Sequence, residues 1–427
     1  MKKRTLKTQQ LNAGIARAPI LVFLATFAVV VLAGVSVMLL YLKHTENSVT
    51  MNAEETEETD EHVLDALWET IPEKAVEETD ETAGGKYDDI LSDPEYMKAN
   101  RIYEKKSGEE GVVSFGFAGD ILFDDEYAMM ANLLRRGVSI ENGISEPLLA
   151  QMHDVDIMMV NNEFSYTNRG TPTEGKTYTF RADTSTVSYL DDMGVDIVSL
   201  ANNHVYDFGE TGLLDTLDTL EQAKMPYVGA GRNLEEAAAP VYFISGDMKI
   251  AIVSATQIER LDNPDTKEAG ENSPGVFRCW NPEKLYEVVA VAEENSDFVI
   301  VYIHWGTENV AEPDWAQLAQ AEGLAQAGAD LIIGDHPHCL QGIRYYGDVP
   351  VFYSLGNFWF NSKTLDTGMV KADISKNGIE SLQFIPAIQS DCRTDLAYGS
   401  DKERILAELN SISYDVTIDD DGFITKN

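Results

Sequence analysis

Hydrophobic patterning divides the chain into three stretches. The first is an unbroken apolar run, Ala18 to Leu42, without a single charge, preceded by Lys2, Lys3, Arg4, Lys7 and Arg17 and by no acidic residue. Wound as a helix at about 1.5 Å per residue, those positions reach roughly 37 Å, enough to cross a hydrocarbon core of about 30 Å with some tilt. A cleaved signal peptide carries a shorter apolar region of about 7 to 15 residues and a small-residue cleavage site, which Leu40-Tyr-Leu-Lys43 does not offer. The pattern predicts an uncleaved transmembrane anchor over 18–42. Residues 1–17 are then a cytoplasmic tail, and everything after Lys43 is extracytoplasmic by the positive-inside rule. The second stretch, 43–110, is acidic: from His44 to Glu110 there are 21 Asp and Glu against six Lys and Arg. Runs such as Glu54-Glu-Thr-Glu-Glu-Thr-Asp-Glu61 cannot bury a core, so this region is expected to be a disordered linker. A short apolar patch, Val63, Leu64, Leu67, Trp68 and Ile71, is its one helical feature.

From Gly111 onward the pattern alternates between strand and helix. Apolar runs at Val112–Ala118, Asp156–Val160, Asp196–Leu200, Lys249–Ser254, Asp297–Ile303, Leu331–Ile333 and Val349–Ser354 read as strands. Leu213–Ala223 has helical spacing, and Asp314–Ala327 is a helix bounded by Pro313 and Gly328. Such alternation predicts one α/β layered domain over 111–427, with largely buried strands.

Chemistry collects where those runs stop. The first ends in Gly119-Asp120, the second in Asn161-Asn-Glu163, and the third in Ala201-Asn-Asn-His204 with Asp207 beyond. Later ones end in His304-Trp-Gly306 and Gly334-Asp-His-Pro-His338. Ligand sites in open α/β sheets lie at the carboxyl ends of strands. Four of the seven histidines fall at these ends, whereas His44, His62 and His153 lie in polar stretches. No basic residue accompanies the carboxylates there, so a cation between them is the expected compensation. Carboxylates, amides and imidazoles at one edge make a mixed oxygen and nitrogen set, suited to Mn, Zn or Fe more than to Ca. His204 is the candidate general acid, and Asp207 either orients it or caps the next helix. Arg181 could grip an anionic group, and Trp305 and Trp359 read as core aromatics.

The order of these motifs resembles the CapA family of capsule and poly-γ-glutamate synthesis proteins: Gly-Asp, Asn-x-Glu, Asn-Asn-His-x-x-Asp-x-Gly, His-Trp-Gly-x-Glu and Gly-x-His-Pro-His. Phe180-Arg-Ala182, Gly229-Ala-Gly231 and Ser354-Leu-Gly-Asn-Phe358 extend the resemblance over roughly residues 112 to 425. CapA proteins are in turn similar to calcineurin-like metallophosphoesterases. The implied architecture is therefore a β-sandwich flanked by helices, although alternation alone would also allow a doubly wound sheet. By position, the resemblance makes Asp120 a first-motif ligand, Glu163 the carboxylate shared by two ions, and Asn203 an amide ligand. His304, His336 and His338 become the remaining imidazole ligands, with His204 protonating the leaving group. One departure matters. The phosphoesterase first motif is Asp-x-His, but Asp120 is followed by Ile121 and Leu122, so one metal position lacks its imidazole.

Composition narrows the partners. With 72 acidic and 32 basic residues the formal net charge is −40, which repels nucleic-acid phosphates and anionic lipid. Three cysteines, Cys279, Cys339 and Cys392, are too few and scattered for a disulfide framework or thiolate cage, though one pair could bridge. The resemblance implies a membrane-anchored protein, carrying one or two divalent ions, that makes, exports or attaches an anionic capsule polymer alongside membrane-embedded synthase or export subunits. Two rival readings are a non-catalytic metal-stabilised accessory subunit and a secreted metallophosphoesterase.

Overall fold

Two mixed sheets pack face to face, and every apolar run read as a strand takes part in one of them. The computed structural model describes residues 85–258 and 266–427. The anchor expected over 18–42, His44, His62 and the patch from Val63 to Ile71 lie outside the described residues. Among the described residues no helix is long and apolar enough to cross a membrane.

The first sheet runs in the order Ile102–Glu104, Val241–Ser245, Met248–Thr256, Phe298–His304, Leu331–Asp335, Val349–Leu355, Leu340–Tyr346. The second runs Arg393–Leu396, Gly378–Ser390, Leu365–Ser375, Val112–Ile121, Ile157–Asn162, Ile197–Ser199, Tyr227–Val228. Each has a parallel centre, so its buried strands are apolar on both faces, as parallel strands covered by helices must be. Phe115, Phe117, Ile157 and Met159 of one sheet meet Ile250, Ile252, Ile300 and Ile333 of the other in the inner core. Helices Ala128–Arg136, Glu146–His153 and Gly209–Ala223 bury Met129, Leu133, Leu148, Met152, Leu213 and Leu217 on the outer face of the second sheet. Helices Glu283–Glu294 and Trp315–Gln326 cover the first. The latter starts at a capping box, Asp314 with Gln317, beside the proline and glycine that mark its limits in the sequence. Trp305 and Trp359 are buried, as core aromatics should be, each donating its indole N–H to a carbonyl.

The architecture is thus a two-sheet layered α/β fold with helices on both outer faces, and not the doubly wound single sheet that alternation also permitted. The antiparallel hairpin Leu365–Ser375 with Gly378–Ser390 escaped the sequence pattern because its exposed face carries Lys371 and Asp373 among apolar positions. Its turn ends in Asn377-Gly378, a hairpin signal that was there to be read.

The N-terminal boundary needs correction. Within the expected linker of 43–110, the described residues from Gly85 on are folded: helices Asp88–Leu91 and Pro94–Ala99 lead into Ile102–Glu104, which pairs in parallel with Val241–Ser245. Asp88, Asp89 and Glu95 face solvent, so net charge hid a segment held by a few anchors. Tyr87 and Ile102 are buried, and Asp297 accepts hydrogen bonds from Lys86, from the Tyr87 hydroxyl and from the Lys249 amide. The domain therefore begins well before Gly111.

Candidate metal centre

The parallel strands of both sheets end at the same edge, and there the chain must leave the ladder. Gly119 allows the closest approach: a Cβ on it would lie 1.9 Å from the Gly356 carbonyl oxygen. That contact lets the Asp120 amide donate to Gly356 O and sets Asn357 in register opposite Asp120. Neighbouring registers place Asn161 beside Asp120 and Asp335 beside His304. At the turn after Leu331–Asp335, His336 and His338 both hold positive φ, 92° and 56°. Non-glycine residues in that region carry strain that clusters at functional sites.

Pro337 does not make its two histidine neighbours converge on one point. Their rings are 5.7 Å apart and serve two groups that share Glu163. One is Glu163, His304 and His336; the other is Asp120, Glu163 and His338. In the first, His304 Nε2 lies 2.8 Å from Asn203 Oδ1, 3.0 Å from His336 Nδ1 and 3.7 Å from Glu163 Oε1. In the second, His338 Nδ1 lies 3.0 Å from Asp120 Oδ2 and 2.8 Å from Asn357 Oδ1. Asp120, Glu163, Asn203, His304 and His336 are buried, and His338 nearly so.

Lone pairs outnumber protons in this space. A neutral imidazole has one N–H. Burial pushes His304 down to about 3, so one proton must serve both its Nδ1, 2.8 Å from Asp335 Oδ1, and its Nε2 facing Asn203 Oδ1. Glu163 Oε1 has no hydrogen-bond donor. Burial, and then the carboxylates of Asp120 and Asp335, push Glu163 well above the usual carboxylate range. Asp335 is raised in the same way by burial and by Asp120. Burial, then His304, drives His336 well down. His338 goes up instead: burial opposes the charged form, but the hydrogen bond and charge of Asp120 outweigh it. A buried set of acceptors aimed at one another is costly unless a cation lies among them. A divalent-metal site is what this donor set fits.

His204 stands at the rim of the first group, its Nε2 3.9 Å from Glu163 Oε1. Its Nδ1 lies 2.7 Å from Asp207 Oδ2, so Asp207 orients the ring; the helix Gly209–Ala223 has no side-chain cap. Burial lowers the His204 pKa against the opposing pull of Asp207. The expectation that no basic residue reaches this edge fails at Lys176. From the loop before Phe180, its ammonium lies 2.6 Å from Asp207 Oδ1 and also bonds the Asn203 carbonyl. Spacing gave no hint of it, because the loop folds back over the strand ends. Arg181 points elsewhere, over the Phe208 ring and 3.5 Å from Glu126. Phe180 packs 4.3 Å from the His204 ring and Phe360 5.1 Å from that of His338, forming an aromatic flank.

Sequence reasoning also passed over Asp335, Asn161 and Asn357. Asn161 Nδ2 donates to Asp120 Oδ1 at 2.9 Å, and Asn202 Nδ2 holds the Asn161 oxygen. Asp335 receives the inner face of His304, as carboxylates do behind metal-binding imidazoles. All three lie inside quoted motifs; their roles depend on which face of each turn looks inward. His153 is exposed, as expected, and Cys279, Cys339 and Cys392 are all free.

Residues 114–362, more than half of the chain, match the family of the bacterial capsule synthesis protein PGA_cap. The chain belongs to this family. The CapA resemblance drawn from the motif order is borne out by its relatives. "Capsule biosynthesis protein CapA" of Bacillus anthracis is 34% identical over 236 residues, covering 53% of this chain and 56% of that one. "PGA biosynthesis protein CapA" of Bacillus subtilis (strain 168) is 33% identical over 207 residues, 47% of this chain and 52% of that one. The chain thus spans about half the length of the curated relatives it matches. A "Probable polyglutamine synthesis accessory protein" of Mycobacterium tuberculosis is 26% identical over 60% of this chain and 72% of that one. Among solved structures, a 5'-nucleotidase from Candida albicans aligns at TM-score 0.35 and 9% identity over 64% of this chain and 54% of that one, too loosely to carry an argument.

Proposed function

We propose that this PGA_cap protein is a membrane-anchored, extracytoplasmic metalloprotein that works in making, exporting or attaching a capsule polymer such as poly-γ-glutamate. The carrying observation is the crowd of possible ligand atoms around Glu163: Asn203 Oδ1, His304 Nε2, His336 Nδ1 and the donorless Glu163 Oε1. Asn203, His304, His336 and Glu163 would hold one divalent ion, and Asp120, His338 and Glu163 a second. Bound there, the metal supplies Lewis acidity and positive charge toward a developing oxyanion. The protein's own contribution is position and proton management. Asp207, fixed by Lys176, holds His204 so that Nε2 faces the cluster, where it can take a proton and return it to a leaving group. The reaction class is hydrolysis or transfer at a phosphoester, amide or related bond, in keeping with a calcineurin-like metallophosphoesterase ancestry. The anionic polymer or its precursor and membrane-embedded synthase or export subunits are the partners of this reading.

A second reading has its own support: Leu122 stands where the phosphoesterase motif has histidine, which suits a metal-stabilised accessory subunit that does no chemistry. Polymer output of cells carrying variants separates the two. In the catalytic reading, His204→Ala lowers polymer about 100-fold or more, in line with loss of a general acid–base group, and Glu163→Gln does the same. If His204→Ala leaves output untouched while Glu163→Gln abolishes it, the accessory reading stands. Full output in both variants overturns the role of this centre in capsule polymer. A secreted metallophosphoesterase unrelated to capsule would instead turn over simple phosphoesters and leave polymer unchanged in either variant.

A further inference from the structure

The second metal position, as the sequence presents it, is short of a ligand. Ile121 and Leu122 occupy the places after Asp120, and both side chains are buried in the apolar core on the outer side of the sheet. Neither can supply what an imidazole would. The same position is approached from another direction. Gly356 adopts φ +68°, and the strand Asn357–Trp359 then runs parallel to Val112–Ile121 with Asn357 opposite Asp120. Asn357 is 1% exposed, and its Oδ1 lies 2.8 Å from His338 Nδ1, the atom that is 3.0 Å from Asp120 Oδ2. Its Nδ2 has no hydrogen-bond partner. A buried amide that leaves its donor idle to bring its oxygen beside a carboxylate and an imidazole is arranged as a ligand, not as a structural bridge.

We propose that Asn357 supplies, through Oδ1, the ligand missing from the position held by Asp120, Glu163 and His338, so that the strand after Leu355 replaces the absent first-motif histidine. The assignment rests on the metal reading above and adds a residue to it. Gly119 belongs to the same device, because only a residue without Cβ admits the Gly356 carbonyl that sets the register.

The test is calorimetric titration of the metal-free full chain with Mn²⁺, alongside Asn357→Ala and Asn357→Asp. The wild type is expected to take two ions. Asn357→Ala should bind the second ion about tenfold or more weakly and keep the first unchanged, while Asn357→Asp, which keeps an oxygen there and adds charge, retains both. Two ions at undiminished affinity in Asn357→Ala would overturn the assignment while leaving the metal centre intact. Equal weakening in both variants would also overturn it. A wild type that binds no ion would sink the metal reading itself, a distinct result. Thermal melts in chelator guard against misfolding: Asn357→Ala loses the Oδ1 hydrogen bond to His338 but none from the orphaned Nδ2, so its chelated melt should stay cooperative and fall only slightly below the wild type's.

Discussion

Glu163→Gln is expected to lose both ions at once and yet to make the metal-free protein more stable. The glutamate is the member common to both groups, so removing its charge deprives each ion of a carboxylate. At a free-metal concentration 100 times the dissociation constant, each bound ion stabilises the native state by about 2.7 kcal/mol. The variant should therefore forfeit roughly 5 kcal/mol of metal-dependent stabilisation. Without metal the sign reverses. Glu163 is buried, lacks a donor on Oε1 and faces the carboxylates of Asp120 and Asp335. An amide of the same shape removes that repulsion. Melting curves with Mn²⁺ and with chelator would show the crossing: wild type higher with metal, variant higher without. A variant that melts lower under both conditions would mean that Glu163 is structural.

The second large effect is on pH dependence. Glu163 and Asp335 are raised in the folded, metal-free protein, above unfolded values near 4.3 and 3.9. The native state then binds more protons than the unfolded chain as pH climbs from those values, so stability falls with rising pH across that window. His304, His336 and His204 are lowered, so their contribution runs the other way: it is lost as pH drops below about 6.5, where the unfolded imidazoles charge. Metal competes with the proton on Glu163 and removes the carboxylate penalty. The melting-temperature difference between Mn²⁺-loaded and chelated protein should widen steadily from pH 5.5 to pH 8. A constant or narrowing difference would contradict the placement of Glu163 between two ions.

Much of this centre was legible because strand ends announce themselves. Asp120, Glu163, Asn203, His304, His336 and His338 each follow an apolar run, and the structure brings all six together. What stayed hidden needed the third dimension. Lys176 arrives by a loop whose sequence, Thr171-Pro-Thr-Glu-Gly-Lys176, has no periodicity to betray its direction. Asn357 sits in a motif whose inward face depends on a two-glycine contact between Gly119 and Gly356. The division of the histidines between two groups follows from the unusual backbone at His336 and His338, which a His-Pro-His pattern does not specify. Alternation gave the layers without saying how many sheets share the buried strands, and only the family resemblance implied the two-sheet sandwich that the structure shows. Residues 85–104 were concealed by acids that coat a segment anchored through Tyr87, Ile102 and Asp297.

The most direct test of the central claim is elemental analysis of the full chain, purified without chelator and again after reloading with Mn²⁺ or Zn²⁺. The account predicts two transition-metal ions per chain, held through Glu163. A chain that holds none even after reloading would contradict it and leave this cluster of buried acceptors without its cation.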